Sequence, residues 1–255
     1  MKESFIQIPN LPKGGVALAV CDGRINKEIE NNLKRLGIRI IKTKKQKTLY
    51  EAVSYHPDIQ LHHLGDNKIV IAPNVEDKFY YELELEGFEI ILGKKPIASK
   101  YPEDVPYNVA RIGNYALLNI RYTDEVLLDE LIKRNVKLID VKQGYAKCSV
   151  CIVSENAIIT SDMGIHKKAT LNSIHSLLIK PGYIELFELN HGFIGGCSGF
   201  ISKDVLSFYG NIEKHPDFYL ISQFLNKFEK KYQNLFKGKL IDYGTLIPLK
   251  EYSIM

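Results

Sequence analysis

One unit recurs about five times along this 255-residue chain. It is a helix, a short apolar strand, a loop of small or polar residues, and a strand–turn–strand hairpin. The clearest copy predicts a helix over Thr123–Arg134, a strand over Val136–Asp140 and a loop reaching Gly144-Tyr145-Ala146-Lys147-Cys148. Its hairpin is Ser149–Val153 and Ala157–Thr160, turning at Ser154-Glu155-Asn156. A unit that small cannot bury its own apolar face, so the copies must share one core.

The first copy has the apolar strand Gly15–Val20 and a helix over Asn26–Leu36, with Ile29, Leu33 and Leu36 on one stripe. Gly37 ends the helix before strand Ile38–Lys42. A short helical turn near Leu49–Val53 follows, and then a hairpin of Ile59–Leu64 and Lys68–Ala72 around Gly65-Asp66-Asn67. The second copy predicts helix Val75–Glu86, strand Phe88–Leu92, loop Tyr101–Pro106 and the hairpin Asn108–Ile112, Gly113-Asn114, Tyr115–Leu118. The fourth predicts helix Ala169–Leu178, strand Tyr183–Glu188, loop His191–Gly196, and strands Cys197–Ile201 and Val205–Phe208 around Ser202-Lys203-Asp204. The fifth predicts a long helix over Pro216–Phe236, strand Lys239–Asp242 and one hairpin strand, Gly244–Leu249.

The missing hairpin partner stands at the other end of the chain. Gly15–Val20 precedes the first helix directly, where every other copy has its second hairpin strand. Pairing Gly15–Val20 with Gly244–Leu249 closes a ring and leaves no open sheet edge. The expected fold is therefore α+β, a five-module β/α-propeller with pseudo-fivefold symmetry, formed as one domain over residues 1–255. A doubly wound fold competes, because Gly15 to Lys42 alone reads as a βαβ unit. However, its loop Cys21-Asp22-Gly23-Arg24 lacks the G-x-G-x-x-G that cradles a dinucleotide. The repeated hairpins also fit a parallel sheet poorly.

Composition narrows the function classes. A chain 45% hydrophobic and 25% charged has a normal globular balance and can bury a sizeable core. The net charge of +4 is spread thinly, and the basic runs Lys42–Lys47 and Lys227–Lys231 are short. A nucleic-acid partner needs a concentrated basic stripe with interleaved aromatics, so none is expected. Met1–Asn10 carries charge and proline in place of an apolar h-region, and no apolar run nears the ~20 residues of a membrane span. The expectation is a soluble cytoplasmic protein without a membrane partner. Its four cysteines, Cys21, Cys148, Cys151 and Cys197, would then be reduced.

In such a ring the segment leading into each hairpin points at the central axis, where distant residues converge. The five segments carry His56 and Asp58, Asp104 and Asn108, Lys147 and Cys148, His191 and Cys197, and Tyr243 with Gly244. A small-molecule site in the central pore is expected there, with no cofactor. Cys21 and Cys151 read as small buried hydrophobes. Cys148 and Cys151 form a CxxC, but residues three apart on a strand face opposite sides, so no metal is expected. The glycines around Cys197 either admit a ligand or mark a packing corner. Asp104 reads as an exposed loop acid or as a ligand-gripping one. His215, before Pro216, suits a helix start, and His62, His63, His166 and His175 suit packing or surface positions.

The phrases YPEDVPYNVARIGN, QGYAKCSVC and GFIGGCSGFI, set in this architecture, resemble the pentein or guanidino-group-modifying enzyme fold, and a bacterial branch of it, over about residues 15 to 250. That resemblance implies a Cys nucleophile attacking a guanidinium carbon, a His acid and base, and carboxylates gripping the guanidinium N–H groups. Carried over, Cys197 is the first candidate nucleophile and Cys148 the second. His56 and His191 are candidate bases, and Asp58 and Asp104 are candidate gripping acids, with Asn108, Lys147 and His191 as further substrate contacts. His56-Pro57-Asp58 is similar to the family's His-x-Asp, although it lies in the first module and not in the one before the Cys. The family's Cys belongs to the last module, where Tyr243-Gly244-Thr245-Leu246 has none, and a Glu-Gly-Gly-Asp signature is absent. The resemblance implies a Cys-dependent hydrolase or amidinotransferase on a guanidine or amidine. A non-catalytic binding protein with a macromolecular partner stands beside it, and a nucleotide-binding α/β protein is the third reading.

Overall fold

A computed structural model describes residues 2–253 and arranges the chain as five sheets. The chain opens with Glu3–Phe5 (β1), Val16–Cys21 (β2), Lys27–Arg35 (α1) and Arg39–Lys42 (β3). Next come the single turn Pro57–Gln60 (α2), Leu61–Gly65 (β4), Lys68–Ile71 (β5), Asp77–Leu85 (α3) and Glu89–Leu92 (β6). Ala110–Ile112 (β7), Tyr115–Leu118 (β8), Glu125–Lys133 (α4) and Lys137–Asp140 (β9) follow. The fourth group is the turn Ala146–Ser149 (α5), Val150–Ser154 (β10), Ala157–Thr160 (β11), Met163–Leu171 (α6) and His175–Leu178 (β12). The last is Ser198–Ser202 (β13), Val205–Phe208 (β14), Phe218–Lys227 (α7), Lys231–Asn234 (β15) and Ile247–Tyr252 (β16).

Four sheets follow one plan, in which an antiparallel hairpin is extended by a parallel third strand that returns after the helix. The fifth sheet has the order β1-β16-β2-β3 and joins the two ends of the chain, with Ile247 opposite Val20 and Pro248 opposite Ala19. The expected ring closure is present. The closing strand runs over Ile247–Tyr252 in place of Gly244–Leu249, and β1 adds an outer strand that the repeat does not announce. The pentein-like β/α-propeller is thus the observed fold. Among the described residues, no helix is long and apolar enough to cross a membrane.

Each of the five longer helices, α1, α3, α4, α6 and α7, buries two side chains one turn apart: Ile29 and Leu33, Phe79 and Leu83, Leu127 and Leu131, Ile165 and Ala169, Ile221 and Leu225. Spacing of four places them on one stripe over the sheets. Burying a side chain of this size contributes ~1.5–3 kcal/mol, and Ala169 contributes less. Leu36, expected on the first stripe, is 42% exposed because the helix has ended before it.

These five helices stop in the same way. The residues Gly37, Gly87, Asn135, Ser173 and Glu229 are left-handed, with φ of 77°, 86°, 55°, 61° and 56°. The N–H after each reaches back to the helix, from Ile38 to Leu33 O, Phe88 to Leu83 O, Val136 to Leu131 O, Ile174 to Ala169 O and Lys230 to Leu225 O. This Schellman closure satisfies carbonyls that would otherwise be orphaned. It also corrects two expectations. The helix predicted over Ala169–Leu178 ends at Leu171, so His175–Leu178 is a parallel strand. The helix predicted over Pro216–Phe236 ends at Lys227, freeing Lys231–Asn234 for the same role. The strands predicted over Tyr183–Glu188 and Lys239–Asp242 then have no ladder to join, and they meet through the single bridge Glu185–Ile241.

Candidate functional site

The segment before each hairpin supplies one or two residues to a polar ring around the axis. Asp58 and Lys147 lie three residues before β4 and β10, and Asn108, Cys148 and Thr245 lie two residues before β7, β10 and β16. Asp58 Oδ2 accepts from Thr245 Oγ1 at 2.9 Å and from Cys148 Sγ at 3.1 Å. Asn108 Oδ1 accepts from the backbone N–H of Lys147 at 2.7 Å and of Cys148 at 3.2 Å. Its Nδ2 donates to Asp58 O and to Cys148 Sγ, both at 3.1 Å. Lys147 Nζ donates to Thr245 Oγ1 at 3.0 Å, and that hydroxyl lies 3.1 Å from Gly195 O. Five segments distant in sequence are thereby joined by hydrogen bonds in a buried setting, where each bond is strong and each orphan costly.

A cavity of about 290 Å³ lies against this ring, lined by Cys148, His56, His191, Asp242 and the aromatic residues Tyr50, Tyr145 and Phe193. The rings of Tyr145 and Phe193 stack at 6.4 Å. Tyr145 Oη donates to Asp104 Oδ2, and Tyr50 Oη lies 2.9 Å from Tyr145 Oη. The buried His56 ring sits between two carboxylates, with Nδ1 3.4 Å from Asp22 Oδ2 and Nε2 3.2 Å from Asp242 Oδ1. Asp242 is held in turn by the backbone N–H groups of Phe193 and Gly244, each at 2.9 Å. The space for this arrangement depends on glycine. A Cβ at Gly192 or Gly196 would collide with the Asp242 carboxylate, and one at Gly244 would collide with His56.

Burial works against charge on His56, but the flanking Asp22 and Asp242 outweigh it and push the imidazole up to about 10, so it is an imidazolium at neutral pH. Asp22 is buried too, yet His56 and the Arg24 guanidinium, 2.9 Å away, hold its carboxyl below the usual range. The Cys148 thiol is pushed well up, first by burial and then by the negative fields of Asp58 and Asp242. Burial lowers Lys147 and raises Asp104. Among the described residues, no group of three His, Cys, Asp or Glu side chains is placed to share a metal ion.

The structure brings together most of the residues singled out from sequence. His56, Cys148 and His191 line the cavity, Asp58, Asn108 and Lys147 form the ring beneath it, and Asp104 stands behind Tyr145. Cys197 does not line the pore. It is fully buried in the apolar cluster that also contains Cys21, Cys151 and Val16, and its Sγ donates to Ile194 O at 3.3 Å. Cys148 is carried by the helical turn Ala146–Ser149 and faces Asp58 and Asn108, whereas Cys197 stands directly before β13 and faces the core. The glycines beside Cys197 mark a packing corner, because a Cβ at Gly195 would fall on the carbonyls of Lys147, Cys148 and Val150. Elsewhere His62 and His63 are buried, His166 Nδ1 lies 3.0 Å from Ser176 Oγ, and His175 packs on Phe228. Sequence reasoning missed Asp22, Asp242 and Thr245. The Asp242-Tyr243-Gly244 turn, in which the carboxylate accepts the N–H two residues on, was the available signal for Asp242.

A family model described as a family of unknown function (DUF6873) matches residues 20–247. No curated protein matches the chain significantly. Among solved structures, it is similar to the inosamine-phosphate amidinotransferase of Streptomyces griseus, with a TM-score of 0.60, 11% identity, and coverage of 99% of this chain and 98% of that one. It is also similar to an amidinotransferase of the saxitoxin biosynthetic pathway of Microseira wollei, with a TM-score of 0.56, 11% identity and coverage of 90% and 91%. A DDAH from Pseudomonas aeruginosa, complexed with citrulline, aligns with a TM-score of 0.53, 8% identity and coverage of 86% and 92%. Identities this low establish a shared fold, which is the fold of guanidino-group-modifying enzymes.

Proposed function

The chain belongs to the family of unknown function DUF6873 and has the pentein fold, and from that premise we propose that its pore binds a guanidine or amidine on which Cys148 acts as nucleophile. One observation carries this reading. Cys148 Sγ points at Asp58 across 3.1 Å, in the cavity that it shares with the His56 imidazolium and the Asp242 carboxylate. A planar cation can lie against the aromatic wall that Tyr145 and Phe193 make, and Asp242 offers an acceptor for its N–H groups.

The electrostatics make the thiol depend on its ligand. Burial, Asp58 and Asp242 hold Cys148 protonated, and a guanidinium seated in the cavity beside Asp242 offsets that negative field and favours the thiolate. The thiol proton passes to Asp58, toward which it already points. Sulfur then bonds to the guanidinium carbon, and the tetrahedral adduct expels an amine that takes its proton from His56. Water or an acceptor amine next gives a proton to the now neutral His56 and attacks the amidino-thioether carbon, which corresponds to hydrolysis or amidino transfer respectively. The C–S bond breaks and the sulfur retakes its proton from Asp58.

The test compares alkylation by a cationic haloacetamidine with alkylation by neutral iodoacetamide, followed by peptide mapping. Cys148 should react about tenfold or more faster with the cation, and methylguanidine should protect it. Equal rates with both reagents, or labelling indifferent to methylguanidine, would count against the enzyme. That outcome would select the second reading, a binding protein in which the buried, protonated Cys148 serves only as a hydrogen-bond donor to Asp58.

A further inference from the structure

Three residues on one side of the pore are linked although they stand far apart in sequence. Tyr50 precedes the single turn Glu51–Val53, Asp104 lies in the loop before β7, and Tyr145 precedes α5. Tyr145 Oη donates to Asp104 Oδ2, and Tyr50 Oη lies 2.9 Å from Tyr145 Oη. Asp104 is fully buried, while both tyrosines line the cavity that Cys148 shares. Counting hydrogens gives this chain a direction. A phenol carries one hydrogen, and that of Tyr145 goes to the carboxylate, so the hydrogen between the two hydroxyls belongs to Tyr50. Burial and then Asp104 raise the Tyr145 hydroxyl, and burial with the fields of Asp104 and Asp242 raises that of Tyr50, so both keep their hydrogens at neutral pH. Tyr50 Oη therefore has only lone pairs left to offer the cavity.

The other acceptor on the cavity wall is largely in use. Asp242 Oδ1 takes the N–H of Gly244 and faces His56 Nε2, and Oδ2 takes the N–H of Phe193. With two lone pairs to each oxygen, Asp242 keeps room for one further donor, on Oδ2. A guanidinium carries N–H groups on all three nitrogens, and those left unmatched in a partly buried site are costly. Asn190 and His191 also line the cavity, but they are exposed, and their side chains donate as well as accept. The phenol oxygen of Tyr50, with its hydrogen committed elsewhere, is an acceptor only.

Building on the pore reading above, we propose that Tyr50 Oη is the second acceptor for the planar cation, beside Asp242, and that Tyr145 and Asp104 are positioning residues that keep it an acceptor. The nitrogen that leaves takes its proton from His56, and the two nitrogens that stay on the carbon are held by Asp242 and Tyr50. An amidine has a carbon substituent in place of one of those nitrogens, and its C–H groups leave the lone pairs of Tyr50 unmatched. The substrate class is then a guanidine and not an amidine, with Tyr50 as the residue that tells them apart.

The experiment measures binding of methylguanidine and propionamidine by calorimetry. Both are planar cations of the same charge and nearly the same shape, and they differ by one N–H in place of a CH₂. Wild type should bind methylguanidine about threefold to tenfold more tightly, the scale of one neutral hydrogen bond. Tyr50→Phe keeps the ring and removes the oxygen, so it should bring the ratio to about twofold or less by weakening methylguanidine. Tyr145→Phe keeps the Tyr50 oxygen but releases its hydrogen toward the cavity. Neutral methylurea, whose carbonyl needs a donor, should then bind about threefold or more tightly than to wild type, and should show no such gain with Tyr50→Phe. A loss of packing at either ring would not produce that gain. Equal binding of the two cations by wild type, or a preference that survives Tyr50→Phe, overturns the assignment of Tyr50 and leaves the pore reading standing. Methylurea binding unmoved by Tyr145→Phe overturns the positioning role of Tyr145 and Asp104. If neither cation binds, the pore reading fails and this inference fails with it.

Discussion

Removing the His56 charge should erase a large part of the protein's sensitivity to alkaline pH. The imidazole is displaced from 6.5 to about 10, and at ~1.4 kcal/mol per unit this amounts to a coupling on the order of 5 kcal/mol. Domains of ordinary stability hold together by ~5–15 kcal/mol, so this one group matters to the total. Its folded pKa lies above its unfolded one, so the native state binds more protons between the two values. The stabilisation is therefore complete below pH 6.5 and is lost as pH rises through about 10. Lys147, lowered by burial, acts with the opposite sign, and it is common to the proteins compared and cancels. The assay is urea unfolding of wild type and His56→Gln at intervals from pH 6 to 10, read as the difference in unfolding free energy. The wild-type advantage should shrink steadily across that window, at up to ~1.4 kcal/mol per pH unit. Asp242→Asn, which removes one of the two flanking carboxylates, should give a narrower window and serves as the second variant if His56→Gln folds poorly. Parallel pH profiles for wild type and both variants would refute the argument, because the imidazolium would then contribute nothing that depends on its charge.

Ring closure and the glycine-made space give two further tests. Leu249 is fully buried on the closing strand, in the cluster with Leu18, Ile69 and Phe79, so Leu249→Ala should cost ~2–5 kcal/mol and lower the melting temperature of the whole chain in one transition; Leu171→Ala, at an 81% exposed position, should change it little, and equal melting of the two variants would show that closure does not hold the fold together. Gly196→Ala places a methyl group on the Asp242 carboxylate and should push it off His56, so the imidazole titration followed by NMR should move down by about one unit or more, and an unmoved titration would show that the pair tolerates displacement.

How far the sequence could be read follows from the chemistry of its five helix ends. Gly37 and Gly87 advertise a left-handed terminus, because glycine alone adopts it without a Cβ penalty, and Asn135 is the next most tolerant residue. Around these three the helix and the following strand were legible to within a residue or two. Ser173 and Glu229 adopt the same conformation with no signal in their side chains, held there by the Schellman bonds from Ile174 and Lys230. At those two places sequence reading lets the helix run on and absorb the strand behind it, which moved the expected strands out to Tyr183–Glu188 and Lys239–Asp242. That slip carried a cost at the site, because it assigned Asp242 to a strand and hid its contact with His56. The hairpins behaved differently, since Asp66-Asn67, Gly113-Asn114 and Glu155-Asn156 are turns by composition and are turns in the structure. Cys148 and Cys197 differ for a reason of the same kind. Both precede a hairpin, but Cys148 is carried by the helical turn Ala146–Ser149 and faces the axis, whereas Cys197 stands directly before its strand and faces the core. The backbone conformation of the segment just before each hairpin thus decides which thiol of this fold can do chemistry, and it is readable only once the turns and strand ends are known.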